Sequence, residues 1–359
     1  MICAIAAFYI SGKIFPYKKW ALAGLLVGMS AYSVLKLIWA GIGEANTHFL
    51  DAAFWPLAAL VLVVGTKPIS VAALNRYFRF VFFYALVSTA IEVFLFLTIG
   101  RLPALAYEDS FSVRFGGFLD DPNGFAALVY MLLGWAYYYF SGKRRVLAEG
   151  ALLLCLLLTQ SYTALAFLGL FIMVLAGNRL LHRPRPLLIM SFGAVLLAVL
   201  IYIWVPLTGL IYSIIESKSN SVDIHVSQVT TTKVMDVTEW ILGGTSYVPY
   251  ESWWVGSLIN FGVPWYLLNL IVFTTLTVCT FKAFRNADNL QYKAVMSGIF
   301  LLTCYFLVGS INLPFYSVFP INFIFFFFSY LVFFERIRKD DPTAREISSG
   351  QDLADGTII

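Results

Sequence analysis

Apolar runs of helical length, separated by short polar breaks, recur along almost the whole of the 359-residue chain. A helix needs about 20 predominantly apolar residues to cross the roughly 30 Å hydrocarbon core of a bilayer. On that measure the pattern predicts spans at 20–42, 50–66, 77–99, 117–140, 146–158, 162–177, 187–207, 253–281, 293–312 and 314–334. A short N-terminal run, "MICAIAAFYISGK", precedes them and reads as a first span or the remainder of one, because it lacks the basic start and small-residue cleavage site of a secretory signal. The expected fold is all-α, a polytopic integral membrane protein with about 10–11 transmembrane helices. A helical domain is expected over 1–334 and a polar cytoplasmic tail over 335–359. Two polar segments interrupt the runs: "GRLPALAYEDSFSVRFG" at 100–116, and a long stretch from about 208 to 250 containing "ESKSNSVDIHVSQVTTTKVMDVTEW". Loops of that length are usually functional or disordered.

The 146–177 region fits the pattern either as one tilted helix or as two short ones turning at "TQSY". Charge decides between them. Lys143, Arg144 and Arg145 precede the region and Arg179, Arg183 and Arg185 follow it, so the positive-inside rule places both ends in the cytoplasm. Only a hairpin allows that. With the hairpin in place, 19 of the 24 Lys and Arg residues fall on the cytoplasmic side, Arg101, Arg114, Lys218 and Lys233 fall outside, and Lys36 lies within a span. Trp20, Trp204, Trp253 and Trp254 sit at expected interfaces.

Composition agrees. The chain is 60% hydrophobic and 12% charged, against about 25% charged in ordinary soluble domains. The net charge of +4 is spread over loops and forms no nucleic-acid-binding patch. Cys3, Cys155, Cys279 and Cys304 all lie in apolar runs, so neither a disulfide framework nor a metal-ligand spacing is visible.

The candidate chemistry gathers on the external side. In "RFGGFLDDPNG", Asp121 followed by Pro122 is a helix N-cap signature, yet it leaves Arg114 and Asp120 unexplained. An arginine near a helix N-terminus suits phosphate, whereas aspartates at that end suit sugar hydroxyls. Charges within spans are costly, about 2.5–3.5 kcal/mol each on insertion scales, and usually face a partner or a cavity. Lys36 and Glu92 share a depth in the outer half, which suggests either a neutralising ion pair or Lys36 as a phosphate ligand. In "WILGGTSYVPYESWWVGSLINFGVPWY", Gly243-Gly244 break the chain before the membrane, Glu251-Ser252 stand at its threshold, and Gly262 and Pro264 interrupt the next helix. His48, His182 and His225 are isolated along the sequence.

In order and spacing these motifs resemble the O-antigen polymerase and O-antigen ligase family, membrane glycosyltransferases that use polyprenyl-linked sugars. That family has an external Arg, a Gly, and Pro-Asn opening a span; Arg114, Gly116 or Gly117, Pro122 and Asn123 match it. Its hairpin turns at Thr-x-Ser-Arg, here Thr159-Gln160-Ser161-Tyr162, with tyrosine for arginine. Its ligases follow the long loop with His, then Asn, Ser or Gln, nine residues, and Gly. Glu251, Ser252 and Gly262 keep that spacing, with glutamate for histidine. The resemblance covers 110–275 in detail, and both departures favour a polymerase over a ligase.

The resemblance implies polymerisation of polyprenyl-pyrophosphate-linked oligosaccharide repeats into O-antigen, capsule or exopolysaccharide, on the outer face of a bacterial cytoplasmic (inner) membrane. It implies Arg114 and Glu251 as catalytic residues, the first stabilising the departing pyrophosphate and the second acting as base. The substrate-binding candidates are Asp120, Asp121, Asn123, Arg101, Lys36, Tyr162, Lys233 and Ser252. It implies no metal and no cofactor; the expected partners are lipid-linked oligosaccharide, membrane lipid and a chain-length regulator protein, with no nucleic acid. The alternatives are a ligase passing finished glycan to a lipid A core, and a transporter or flippase with Lys36 and Glu92 on its path.

Overall fold

The structure is a computed structural model that describes residues 17–41, 43, 45–99, 108–109, 112–113, 115–119, 121–159, 161, 163–169, 235–248, 252–309 and 320–338. Among these residues the chain is almost wholly helical. The helices are α1 (Tyr17–Ala40), α2 (His48–Gly65), α3 (Val71–Ile99), α4 (Pro122–Tyr139), α5 (Gly142–Leu158), α6 (Val237–Leu242), α7 (Trp253–Arg285), α8 (Leu290–Gly309) and α9 (Ile321–Phe333). A further helical stretch follows α5 at 163–169. Five of the described helices, α1, α2, α3, α7 and α8, are long and apolar enough to cross a bilayer.

α4 is as long as α2, at 18 residues, and it is the most enclosed of the described helices. Thirteen of its residues are buried, from Pro122 through Trp135 and Ala136. It packs most extensively against α8. Gly134 and Gly298 make that approach possible: a Cβ on Gly134 would stand 2.6 Å from the Ser297 carbonyl oxygen, and one on Gly298 would stand 2.7 Å from that of Met131. Small residues at such crossings let helix backbones close together. Around α4 an aromatic layer fills the interior, with Tyr130 stacked on Tyr305, Trp135 on Tyr139, and Phe273 on Phe325.

The helices alternate in direction, and the polar contacts collect at two opposite ends. At one end Lys19 pairs with Glu335 at 3.0 Å, Arg336 donates to the Val64 carbonyl, and the Trp135 indole donates to Asn75. Residues 337–338 form a two-residue parallel bridge with 69–70. The polar segment after α9 is therefore tied to the α2–α3 link through residue 338, and the tail expected from 335 starts as structure. The opposite end gathers the end of α1, the starts of α2, α4 and α7, and the turn after α5.

The start of α4 differs from the hydropathy pattern. The span expected at 117–140 begins at Pro122, because residues 116–119 turn back on a 3.0 Å bond from Leu119 N–H to the Gly116 carbonyl before the Asp121 cap. Of the run expected at 314–334, Ile321–Phe333 is helix, and 314–319 lie outside the described residues. The 146–177 region breaks after Leu158, with Thr159 in a turn and helix resuming at 163, in agreement with the expected division into 146–158 and 162–177. The span at 187–207 and the loop from 208 to 234 lie outside the described residues.

Candidate functional site

The turn before α4 is held by three side chains of α3. Tyr84, Glu92 and Phe96 share one stripe of that helix, at spacings of four and eight residues. Glu92 is fully buried and takes one N–H on each carboxylate oxygen, from Gly117 and Phe118, both at 2.9 Å. The Tyr84 hydroxyl donates to the Gly117 carbonyl at 2.8 Å, and Phe96 meets Phe115 edge-on. Gly117 and Phe118 both adopt left-handed conformations, with φ of 60° and 61°. At Gly117 a Cβ would also collide with the Phe125 ring at 2.3 Å. After the turn, the Asp121 carboxylate accepts from Asn123 N–H at 2.8 Å, so Asp121 is the cap its sequence suggests.

The hairpin tip closes on the same place. The Ser161 hydroxyl donates to the Asn123 side-chain oxygen at 2.6 Å across 38 residues of sequence. Ser161 also receives Ala164 N–H, which starts the helical stretch, while Phe115 N–H donates to the Leu158 carbonyl. The Tyr305 hydroxyl donates to the Asn123 main-chain carbonyl at 3.2 Å. The Pro-Asn motif and the Thr-x-Ser motif are thus physically joined.

A second group lies at the same end of the bundle. α6 opens with a reciprocal capping box, Asp236 accepting from Glu239 N–H at 2.7 Å and Glu239 accepting from Asp236 N–H at 3.2 Å. The arm then crosses α7 where Gly243 meets Gly262, and Gly244 N–H donates to the Ile259 carbonyl at 2.7 Å. Asn260 clamps Val248 through both its amide and its carbonyl oxygen, at 2.8 and 2.9 Å. Asn46 accepts Tyr247 N–H and donates to the carbonyls ending α1. His48 bonds Asp51 at 2.9 Å and lies against the Tyr247 ring. Burial first, and the Asp51 charge second, push the Tyr247 phenol up to about 12, so it stays neutral at physiological pH.

Lys36 and Glu92 do not pair. Lys36 is almost wholly buried and donates to the Leu242 and Gly244 carbonyls, with Trp39 and Phe49 rings 5.1 and 5.5 Å from its ammonium. Tyr32 donates to the same Leu242 oxygen at 2.7 Å. The physical reason is proximity: backbone oxygens exposed by the end of α6 and backbone N–H groups exposed by the turn before α4 lie nearer to each charge than the charges lie to each other. Lys36 therefore anchors the arm through two of its three ammonium N–H groups.

Of the other candidates, Ser252 is the buried N-cap of α7, accepting from Val255 N–H. Asp121, Asn123 and Ser252 are thus built into helix starts at one end. Arg101, Arg114, Asp120, Tyr162, Lys233 and Glu251 lie outside the described residues. The residues that sequence reasoning missed, namely Tyr32, Asn46, Asn260 and the Asp236/Glu239 box, had a partial signal. Asp-x-x-Glu is a helix-start signature, and Asn260 is an amide inside an otherwise apolar run.

No family model matches the chain, and no curated protein matches it.

Proposed function

We propose that this chain is a multi-pass membrane glycosyltransferase that joins polyprenyl-pyrophosphate-linked oligosaccharide repeats on the external face of a bacterial cytoplasmic membrane. The observation that carries the reading is the Asn123–Ser161 bond, which brings the two hairpin-side motifs together at the end of the bundle that also holds Ser252 and the arm before it. An acceptor hydroxyl attacks the anomeric carbon, a new glycosidic C–O bond forms, and the bond from that carbon to phosphate oxygen breaks. Pyrophosphate departs still attached to its lipid, and Arg114 stabilises the charge it gains. Glu251 takes the proton of the attacking hydroxyl. Against the transporter alternative, Lys36 and Glu92 each bind backbone groups and not each other.

The sidedness has a direct test in a cysteine-free background. Ser246 and Ser141 are both exposed, whereas Ser161 is buried and would shield a label. Ser246→Cys should react with an impermeant thiol reagent in whole cells, and Ser141→Cys should react only after permeabilisation. The reverse pattern sinks the external site.

The activity is tested with purified protein and lipid-linked repeat units, the expected product being longer lipid-linked chains. Arg114→Lys should retain only part of the rate, since lysine lacks the planar fork that grips phosphate in two places. In cells, deletion should accumulate single lipid-linked repeats; accumulation of long lipid-linked polymer would favour the ligase instead.

A further inference from the structure

A carboxylate placed mid-span needs a reason, and Glu92 has one that no motif supplies. It is fully buried, it belongs to α3, and both of its oxygens are used by consecutive backbone N–H groups of another segment. Consecutive N–H groups converging from left-handed residues form a concave nest that favours an anion. Here the anion is supplied by the protein itself. Phe118 has φ of 61°, a conformation that non-glycine residues rarely adopt and that persists only where the surroundings over-determine it. Glu92 and Tyr84 are those surroundings.

We propose that Glu92 is a positioning residue for the transfer site, a bracket that holds the strained 117–118 turn and so sets the start of α4. This rests on the function proposed above. The turn lies between the position of Arg114 and the Asp121 cap, and the next turn of chain carries Asn123 to Ser161. Without the bracket, Phe118 relaxes toward ordinary backbone angles, and the Asp121 cap and Asn123 shift with it. Misplacement on the scale of an ångström is enough to cost about 10²-fold in rate.

The test uses the full chain in detergent, with hydrogen exchange over 115–119 and steady-state transfer measured on the same samples. Glu92→Gln keeps the shape but turns one acceptor into a donor facing an N–H. Exchange at Gly117 and Phe118 should accelerate at least tenfold, and kcat should fall on the order of 10- to 100-fold with little change in KM for the lipid-linked donor. Adding Phe118→Gly, which removes the conformational strain, should restore most of kcat; a purely structural loss of packing at Glu92 would not be rescued there. If Glu92→Gln does not fold, Tyr84→Phe weakens the same turn by a single bond and should accelerate its exchange by a smaller factor with a matching loss of kcat. Unchanged exchange in the folded variant overturns the bracket. Accelerated exchange with normal kcat overturns the positioning role. Wild-type protein that never elongates lipid-linked repeats overturns the transfer reading itself, a failure visible before any variant is made.

Discussion

Gly262→Ala should yield little folded protein, although the change adds one methyl group. Gly262 sits within α7 at φ 83°, ψ 173°, a region essentially reserved for glycine, and a Cβ there would lie 2.3 Å from the Ile241 carbonyl oxygen. The other side of the contact is just as closed, because a Cβ on Gly243 would stand 2.3 Å from the Asn260 carbonyl oxygen. Neither backbone can retreat without breaking the Gly244–Ile259 bond and the Asn260–Val248 clamp. Conformational strain of about 1–3 kcal/mol adds to overpacking of about 1–3 kcal/mol. Together these are a large part of the roughly 5–15 kcal/mol by which a typical domain is stable. Gly24→Ala is the control: nothing lies within 4 Å of its Cβ, and it occupies a helix interior. That variant should melt at or slightly above the wild-type temperature, since alanine is favoured over glycine there by roughly 0.5–1 kcal/mol. Monodisperse yield and thermal melting in detergent measure both. Wild-type melting in Gly262→Ala would show that the crossing yields easily and does not define the arm.

The interrupted helix at Gly262 was visible in the sequence, as were most helix positions, because long apolar runs leave few alternatives to a helix. What the sequence did not carry was the identity of each buried charge's partner. Lys36 and Glu92 at one depth suggested an ion pair, the cheapest arrangement when only side chains are considered. Backbone groups are invisible to such counting. They become available where helices end, and the short α6 and the 116–119 turn both follow from local chemistry (the Asp236 box, Gly243, Gly117) that hydropathy overlooks. The same blindness placed the start of α4 too early, since Gly117, Phe118 and Leu119 read as apolar span while folding as a turn. By contrast the Asn123–Ser161 meeting was legible in outline, because motif order and the hairpin together bring those residues to one end.

The anchoring of the arm by Lys36 leads to opposite expectations for two substitutions at one position. Lys36→Met keeps the aliphatic stem between Trp39 and Phe49 and removes the ammonium. Two charge-assisted hydrogen bonds are lost, each typically about 1.5–3 kcal/mol. Against this stands relief from burying an ammonium, a desolvation cost of several kcal/mol. The two nearly cancel for the molecule as a whole, so melting should change little. They do not cancel locally: the Gly244 carbonyl loses its ammonium donor, while the Leu242 carbonyl keeps Tyr32. The arm from 237 to 248 should therefore exchange its amide hydrogens faster and become more sensitive to protease, while α1 and α7 stay protected. Lys36→Glu has no such compensation. A carboxylate would face the Leu242 and Gly244 carbonyl oxygens, and an uncompensated buried charge costs about 3–5 kcal/mol. That variant should fail to fold. Were Lys36 instead a phosphate ligand, Lys36→Met would leave the arm as protected as in the wild type and weaken only the binding of lipid-linked donor. Exchange at 237–248 separates the two roles, because only an anchor changes the arm when no substrate is present.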